Sequence, residues 1–244
     1  MKFQKLLGKT RKAINDFNLI EDGDKIAVGL SGGKDSLTLV HLLKNYQKFS
    51  PEKFELVAIT VNPGTGIDFS SLNKLCKDIN IPFYEVKTRI KEIVFDVKKE
   101  KNPCSLCANL RRGALNDMAE KLGCTKVALG HHKDDALETL MLSLCYEGRI
   151  NCFSPKSYMK QNKLKLIRPM VYIEEHEIKN LVKNYNFPII KNPCPADGYT
   201  KREDMKNLIY KLNQDIPGFK KSLFSSLNNA EQLFIWDIER IKQE

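Results

Sequence analysis

The chain has 244 residues, of which 42% are hydrophobic, and its 40 Lys and Arg against 30 Asp and Glu give a formal charge of +10. That composition excludes a disordered or collagen-like chain, and no apolar run approaches the roughly 18 residues needed to span a bilayer, so no membrane partner is expected. Seven cysteines, an odd number behind a start with no signal-peptide pattern, argue against a disulfide framework and for a cytoplasmic chain, while the positive charge suits a polyanionic partner.

In chain order, Phe3, Leu6, Leu7, Ala13, Ile14 and Phe17 recur near helical spacing among basic residues, which predicts an amphipathic helix within 1–20. Lys25 to Leu30 is a short apolar run behind the turn signal Asp22-Gly23-Asp24 and reads as a buried strand; Leu37 to Leu43 has helical period. Further strands are expected at 54–61, 83–86 and 127–130, with helices at 68–79 and 105–122 between them. Strands alternating with helices predict an α/β fold, a Rossmann-like parallel sheet with helices on both faces. From about residue 150 the pattern changes: 153–158 and 163–168 are predicted to pair as a hairpin, and helices are expected at 174–185, 200–213 and 220–242. The expected organisation is therefore a leading helix (1–20), a sheet domain (21–170) that carries the motifs below, and a helical extension (171–244).

Three stretches carry chemistry. Ser31-Gly32-Gly33-Lys34-Asp35-Ser36 sits between the first strand and its helix. Two glycines let backbone N–H groups approach an anion, the helix adds the positive end of its dipole, and Lys34 adds a full charge, so the turn reads as a phosphate cradle. Its spacing is neither that of a Walker A loop nor that of a dinucleotide turn. In Cys104-Ser105-Leu106-Cys107-Ala108-Asn109-Leu110-Arg111-Arg112, the Cys-x-x-Cys spacing brings two thiols to one side of a helix's first turn, in the positive field of the dipole and two arginines. Asn192-Pro193-Cys194 repeats the Asn-Pro-Cys context of Cys104. Spacing alone leaves a redox pair, half of a zinc site and an iron-sulfur centre open. The third stretch, Gly130-His131-His132-Lys133-Asp134-Asp135, is again a strand end opening a helix; Asp134 or Asp135 is expected to cap that helix and is suited to hold Mg²⁺ on phosphate oxygens.

Taken together, Ser31 to Ser36, Cys104 to Gly113 and Gly130 to Thr139 resemble the tRNA 2-thiocytidine synthetase family of PP-loop ATP pyrophosphatases, and the similarity continues through Ile167-Arg168-Pro169-Met170, Phe187-Pro188-Ile189-Ile190 and Cys194. The resemblance implies an enzyme that adenylates cytidine 32 of a tRNA with ATP and Mg²⁺ and then thiolates it. It also implies a 4Fe-4S cluster on Cys104, Cys107 and Cys194, with Cys76, Cys124, Cys145 and Cys152 dispensable. Ser31, Gly32, Gly33, Lys34, Asp35, Ser36, Val61, Gly130, His131 and Asp135 are then expected at the nucleotide, with Asp35, Asp135 and Cys194 catalytic. The family further implies a sulfur donor such as a cysteine desulfurase or sulfide, and a homodimer. Where members often read Pro-Cys-x-x-Cys-Gly-Ser-Gln, this chain has Pro193-Cys194-Pro195-Ala196-Asp197-Gly198. Alternatives from the same superfamily are a 2-thiouridine-type or lysidine-type enzyme; a non-enzymatic alternative is an ATP-binding RNA-binding protein. The lysines and arginines of the leading helix, including Lys5, Lys9, Arg11 and Lys12, are expected to contact tRNA, with Tyr146 or Tyr199 stacking on a base.

Overall fold

The computed structural model describes residues 3–97, 103–159, 163–190 and 201–229. The leading helix α1 (Phe3–Asp16) buries Leu6, Leu7, Thr10, Ala13 and Ile14, the stripe its sequence period requires. Then β1 (Lys25–Gly29), α2 (Lys34–Tyr46), β2 (Glu55–Asn62), α3 (Ser70–Asp78), β3 (Phe83–Lys87), α4 (Pro103–Lys121), β4 (Lys126–Ala128) and α5 (Lys133–Leu142) alternate as expected. Two short π-helical segments, Glu92–Val97 and Ser143–Glu147, have no counterpart in the sequence reading, since one extra residue per turn leaves no periodic trace over so few positions.

Contacts divide the chain into two units, Met1–Asp135 with Phe153–Thr200, and Ala136–Cys152 with Lys201–Glu244. The first unit contains a six-stranded sheet of order β3-β2-β1-β4-β6-β5. Its hairpin, β5 (Lys156–Met159) with β6 (Leu164–Ile167), forms at the expected place. It is not a separate layer: β6 pairs in parallel with β4, and only β5 runs antiparallel, on the edge. Alternation along the strands separates two cores. Ile26 and Val28 of β1 and Leu56 and Ala58 of β2 join the side chains of α1, α2, α3 and α6 (Glu175–Tyr185), whereas Ala27, Val57 and Ile59 face Leu115 and Ala119 of α4. Both faces are thus covered, which is why these strands read as nearly continuous apolar runs.

The second unit is helical: the end of α5, the π-helical turn after it, α7 (Lys201–Asp215) and α8 (Phe219–Ser226). Leu137, Leu140, Met205 and Ile209 are buried in it. Arg202 reaches the buried Glu138 at 3.2 Å and donates to Thr139 Oγ1, and the Lys201 ammonium lies 4.3 Å from the Tyr146 ring centre. The helix expected at 220–242 begins as α8 but ends at Ser226, with Leu227 as its C-cap, so it is shorter than expected; positions from 230 onward lie outside the described residues.

At the amino-terminal edge of the sheet sits a fully buried lysine. Lys126, the first residue of β4, places Nζ 2.5 Å from Asp24 and 3.1 Å from Glu21, as ion contacts whose angles are not those of directed hydrogen bonds. Asp24 also accepts from the Glu21 N–H (2.6 Å) and from Thr125 Oγ1 (2.7 Å), which joins the turn before β1 to the turn before β4. Lys165, Lys126 and Lys156 hold the Glu21 carboxyl well below the usual range, at about 2. An ammonium at that depth is tolerable only while its carboxylates remain. Asp24→Ala is expected to lower the unfolding free energy by about 3 kcal/mol or more, measured by urea denaturation at neutral pH.

Candidate active site

The carboxyl ends of β1 and β4 each feed a helix, and the two helix starts meet. After β1 the chain turns through Leu30–Gly33; the Leu30 N–H donates to Ile59 O (2.8 Å) and Thr60 Oγ1 donates to Leu30 O (2.6 Å), so β2 fixes the turn. Gly32 adopts φ +82°, in the left-handed region that favours glycine. α2 then begins with Gly33 as N-cap and no side-chain cap, which leaves its first-turn N–H groups available to an anion. Ser31 Oγ and Ser36 Oγ are 3.1 Å apart, and Ser36 Oγ donates to Gly33 O.

The second helix start is capped differently from the sequence expectation. The residue preceding α5 is His132, not an aspartate: its N–H donates to Asp135 Oδ2 (2.8 Å), while the Asp135 N–H faces His132 Nδ1 (3.4 Å). Asp135 therefore stands at the third helical position and reaches back, in the reciprocal arrangement of a capping box with histidine in the serine's place. Asp134 turns elsewhere, its Oδ2 accepting from the Glu175 N–H (2.7 Å) at the start of α6. No sequence rule distinguishes two adjacent aspartates in a first turn; the tertiary position of α6 does.

These pieces line an open cleft of about 390 Å³, formed by Gly29 to Ser31, Asp35 and Ser36 from the first turn, Ile59 and Val61 from β2, and Leu129 to His131 with Asp135 from the second. Its remaining lining is one face of α4: Ala108, Arg111, Arg112 and Leu115. Cys104 and Cys107 lie on this stripe at helical spacing, Cys104 exposed and Cys107 half-buried. Gly32, Gly33 and Lys34 are not among the lining residues; the Lys34 ammonium contacts Asp35 Oδ2 at 2.9 Å and Glu175 Oε1 at 3.2 Å. Burial opposes its charge, and the two carboxylates outweigh burial and raise its pKa.

Asp35 Oδ1 is buried without a hydrogen-bond partner, with His132 Nε2 3.7 Å away. A carboxylate oxygen in that condition fits a cation that completes its shell with phosphate and water oxygens, as Mg²⁺ does. Among the described residues no group of three His, Cys, Asp or Glu side chains forms a metal cage on its own. The thiols of Cys104 and Cys107 suit iron by their spacing and side. Cys194, the expected third ligand, lies outside the described residues, as does Tyr199. Cys76 and Cys124 are core residues: burial raises both thiols, that of Cys76 to about 11.

Three contributors had no role in the sequence reading, although Arg168 and Ile190 lie in stretches that carry the resemblance. Arg168, buried at the end of β6, donates Nε–H to His131 Nδ1 (3.2 Å) and an Nη1–H to Ser154 O (2.5 Å), and lies 4.8 Å from the Phe153 ring centre, so it sets the orientation of a cavity-lining histidine. Ile190 donates its N–H to Gly32 O (3.0 Å) and covers Gly32 with its side chain. Glu175 was legible only as an acid in a helix's first turn. In the leading helix, Lys5 and Lys9 contact Glu177 and Lys12 contacts Asp16, so three of the cations expected to meet tRNA have internal carboxylate partners.

The PP-loop domain family model matches residues 3–212. The tRNA-cytidine(32) 2-sulfurtransferase of Geobacter sulfurreducens is 36% identical over 98% of this chain and 95% of its own length; that of Cellvibrio japonicus is 36% identical over 98% and 80%. Among solved structures, the U34-tRNA thiolase NcsA from Methanococcus maripaludis, determined with its [4Fe-4S] cluster, superposes with a TM-score of 0.78 at 29% identity, over 95% of this chain and 79% of that one. An NH3-dependent NAD synthetase from Campylobacter jejuni shares the fold, with a TM-score of 0.51 at 20% identity.

At Gly130 the neighbours are backbone, and a Cβ would fall 3.0 Å from the Asp35 carbonyl carbon and 3.2 Å from the Ser36 nitrogen. Gly130→Ala should therefore force the two helix starts apart and cost about 1–3 kcal/mol of stability, measured by thermal denaturation.

Proposed function

The chain belongs to the tRNA-cytidine(32) 2-sulfurtransferase family of PP-loop proteins, and from that premise we propose that its cavity adenylates cytidine 32 of a tRNA with ATP and then exchanges the activated oxygen for sulfur. The observation that carries this reading is the composition of the cavity wall. Ser31, Asp35 and Ser36 of an anion-ready turn face the same space as Ala108, Arg111 and Leu115, which continue the helical stripe of Cys104 and Cys107. Nucleotide activation and sulfur delivery would then share one cleft.

In this account the first-turn N–H groups of α2, with Ser31 and Ser36, hold the ATP phosphates. The O2 oxygen of the cytosine attacks the α-phosphorus, and the bond to pyrophosphate breaks. Sulfur at the sulfide level then forms a bond to C2, and the C2–O bond breaks with AMP as the leaving group. Arg111 and Arg112 supply fixed positive charge on the wall opposite the turn, where phosphate charge develops and departs. His131, whose ring Arg168 orients, lines the same space and is placed to contact the nucleotide. Mg²⁺ would be held by Asp35 and Asp135 together with phosphate oxygens, and would neutralise the departing pyrophosphate. A 4Fe-4S cluster on Cys104, Cys107 and Cys194 would supply an iron with an open position for sulfur. Ile190, the last described residue before Cys194, is hydrogen-bonded to Gly32 of the phosphate turn, so the chain leaves the described residues at this site. A cysteine desulfurase or sulfide as donor, a homodimer and a cytoplasmic location belong to the same reading and rest on the family.

Cys104→Ala, Cys107→Ala and Cys194→Ala are each expected to lose iron and 2-thiocytidine formation, whereas Cys76→Ala and Cys145→Ala keep both. Iron analysis of anaerobically prepared protein and mass spectrometry of tRNA nucleosides read the two quantities; full iron in any of the first three variants would remove that ligand. Lys34→Ala should lower AMP formation at least tenfold with the fold intact, as removal of a charge-assisted phosphate contact costs roughly 1.5–3 kcal/mol. Unchanged turnover would take Lys34 out of the phosphate site.

A further inference from the structure

The Lys34 ammonium is held between Asp35 Oδ2, at 2.9 Å, and Glu175 Oε1, at 3.2 Å, and Lys34 is absent from the cavity lining. Glu175 comes from a different element, the first turn of α6, and is fixed there: its N–H donates to Asp134 Oδ2, while the neighbouring Glu174 pairs with Lys133 at 3.1 Å. The start of α6 is thereby tied to the start of α5 and to the phosphate turn at once. Only 14% of the Glu175 side chain is exposed, so this carboxylate is not a solvated surface charge. Its other oxygen lies 3.1 Å from Lys179, one turn further along α6.

We propose that Glu175 is a positioning residue for the phosphate lysine, a built-in competitor that holds Lys34 until the outer phosphates of ATP take it and that recovers it as pyrophosphate departs. The inference rests on the nucleotide reading above. Its physical basis is an exchange of ion partners. A triphosphate carries more charge than one carboxylate and attracts Lys34 away, while Glu175 keeps Lys179, so the exchange strands no uncompensated charge in a half-buried place. After the α-phosphorus bond breaks, pyrophosphate no longer has the covalent anchor of the nucleoside. The Glu175 carboxylate then both repels it and competes for its cation. Glu175 thus acts on ligands that carry β- and γ-phosphates and leaves AMP indifferent.

The test is calorimetric titration of the anaerobically prepared full chain with ATP, pyrophosphate and AMP in the presence of Mg²⁺, comparing wild type with Glu175→Gln, Glu175→Ser and Glu175→Asp. Gln and Ser remove the charge while keeping the backbone bond to Asp134, and Ser is at home in a first helical turn. Both are expected to bind ATP and pyrophosphate about fivefold more tightly, the equivalent of ~1 kcal/mol, with AMP unchanged and Glu175→Asp close to wild type. Release of pyrophosphate, followed by stopped flow, should slow by a similar factor. Unchanged or weaker ATP binding in both uncharged variants would overturn the proposal, as would a shift of equal size for AMP, which would mark Glu175 as a support of the α6 start. A wild-type chain that binds no ATP would overturn the nucleotide reading itself, and this inference with it.

Discussion

Backbone meets backbone where Gly130 lies against the first turn of α2, and the site depends on that approach. With no Cβ in the way, the carboxyl ends of two adjacent parallel strands, β1 and β4, open their helices toward one point. Two helix amino termini then contribute positive potential to the same small volume, an arrangement that is costly without an anion and favourable with one. The side chains at those termini follow: Asp35 and Asp135 line one wall, and His132 stands between them, 3.7 Å from one and 3.5 Å from the other. The setting that the proposed nucleotide and its cation would meet is therefore a consequence of strand order more than of any one residue.

Charge in the first unit is arranged in two separate groups along the sheet. At the amino-terminal edge, Glu21 and Asp24 compensate Lys126, with Lys156 and Lys165 adding to Glu21; this group closes on itself and has a structural role. At the carboxyl edge, Lys34, Arg111 and Arg112 face or flank the cavity; among the described residues, Lys34 has carboxylates within 4 Å and Arg111 and Arg112 have none. The distinction explains why the total of +10 is a poor guide to where a polyanion binds. Cations of the leading helix serve Glu177 and Asp16 and tie α1 to α6 or to itself. The positive wall that α4 presents is a better match to phosphate than the helix with the denser lysine pattern.

Side chains that support the site come from late in the chain. Arg168 at the end of β6 orients His131, Glu175 at the start of α6 engages Lys34, and Ile190 covers Gly32 and donates its N–H to the Gly32 carbonyl. All three lie beyond the point where strand and helix stop alternating in a simple way, yet they belong to the first unit. A hairpin whose second strand adds in parallel to β4 is what returns the chain to the sheet and makes this possible.

Read from the residues alone, the sequence determined the order and type of the elements, because period 2 and period 3.6 patterns are local and β1 to β4 are bounded by clear turn residues. It also determined the three chemical stretches, since Ser-Gly-Gly-Lys-Asp-Ser, Cys-x-x-Cys and His-His-Lys-Asp-Asp are contiguous and their spacing is their meaning. What it did not determine were relations between segments far apart in number: that α4 turns its cysteine stripe toward the phosphate turn, that Asp135 faces the cavity while Asp134 serves α6, that His132 is the cap, and that Lys34 is shared with Glu175. Adjacent aspartates have the same composition and the same local geometry, about 100° apart on a helix. Which of them meets a ligand is decided by the element packed against each, and that is a property of the folded chain alone.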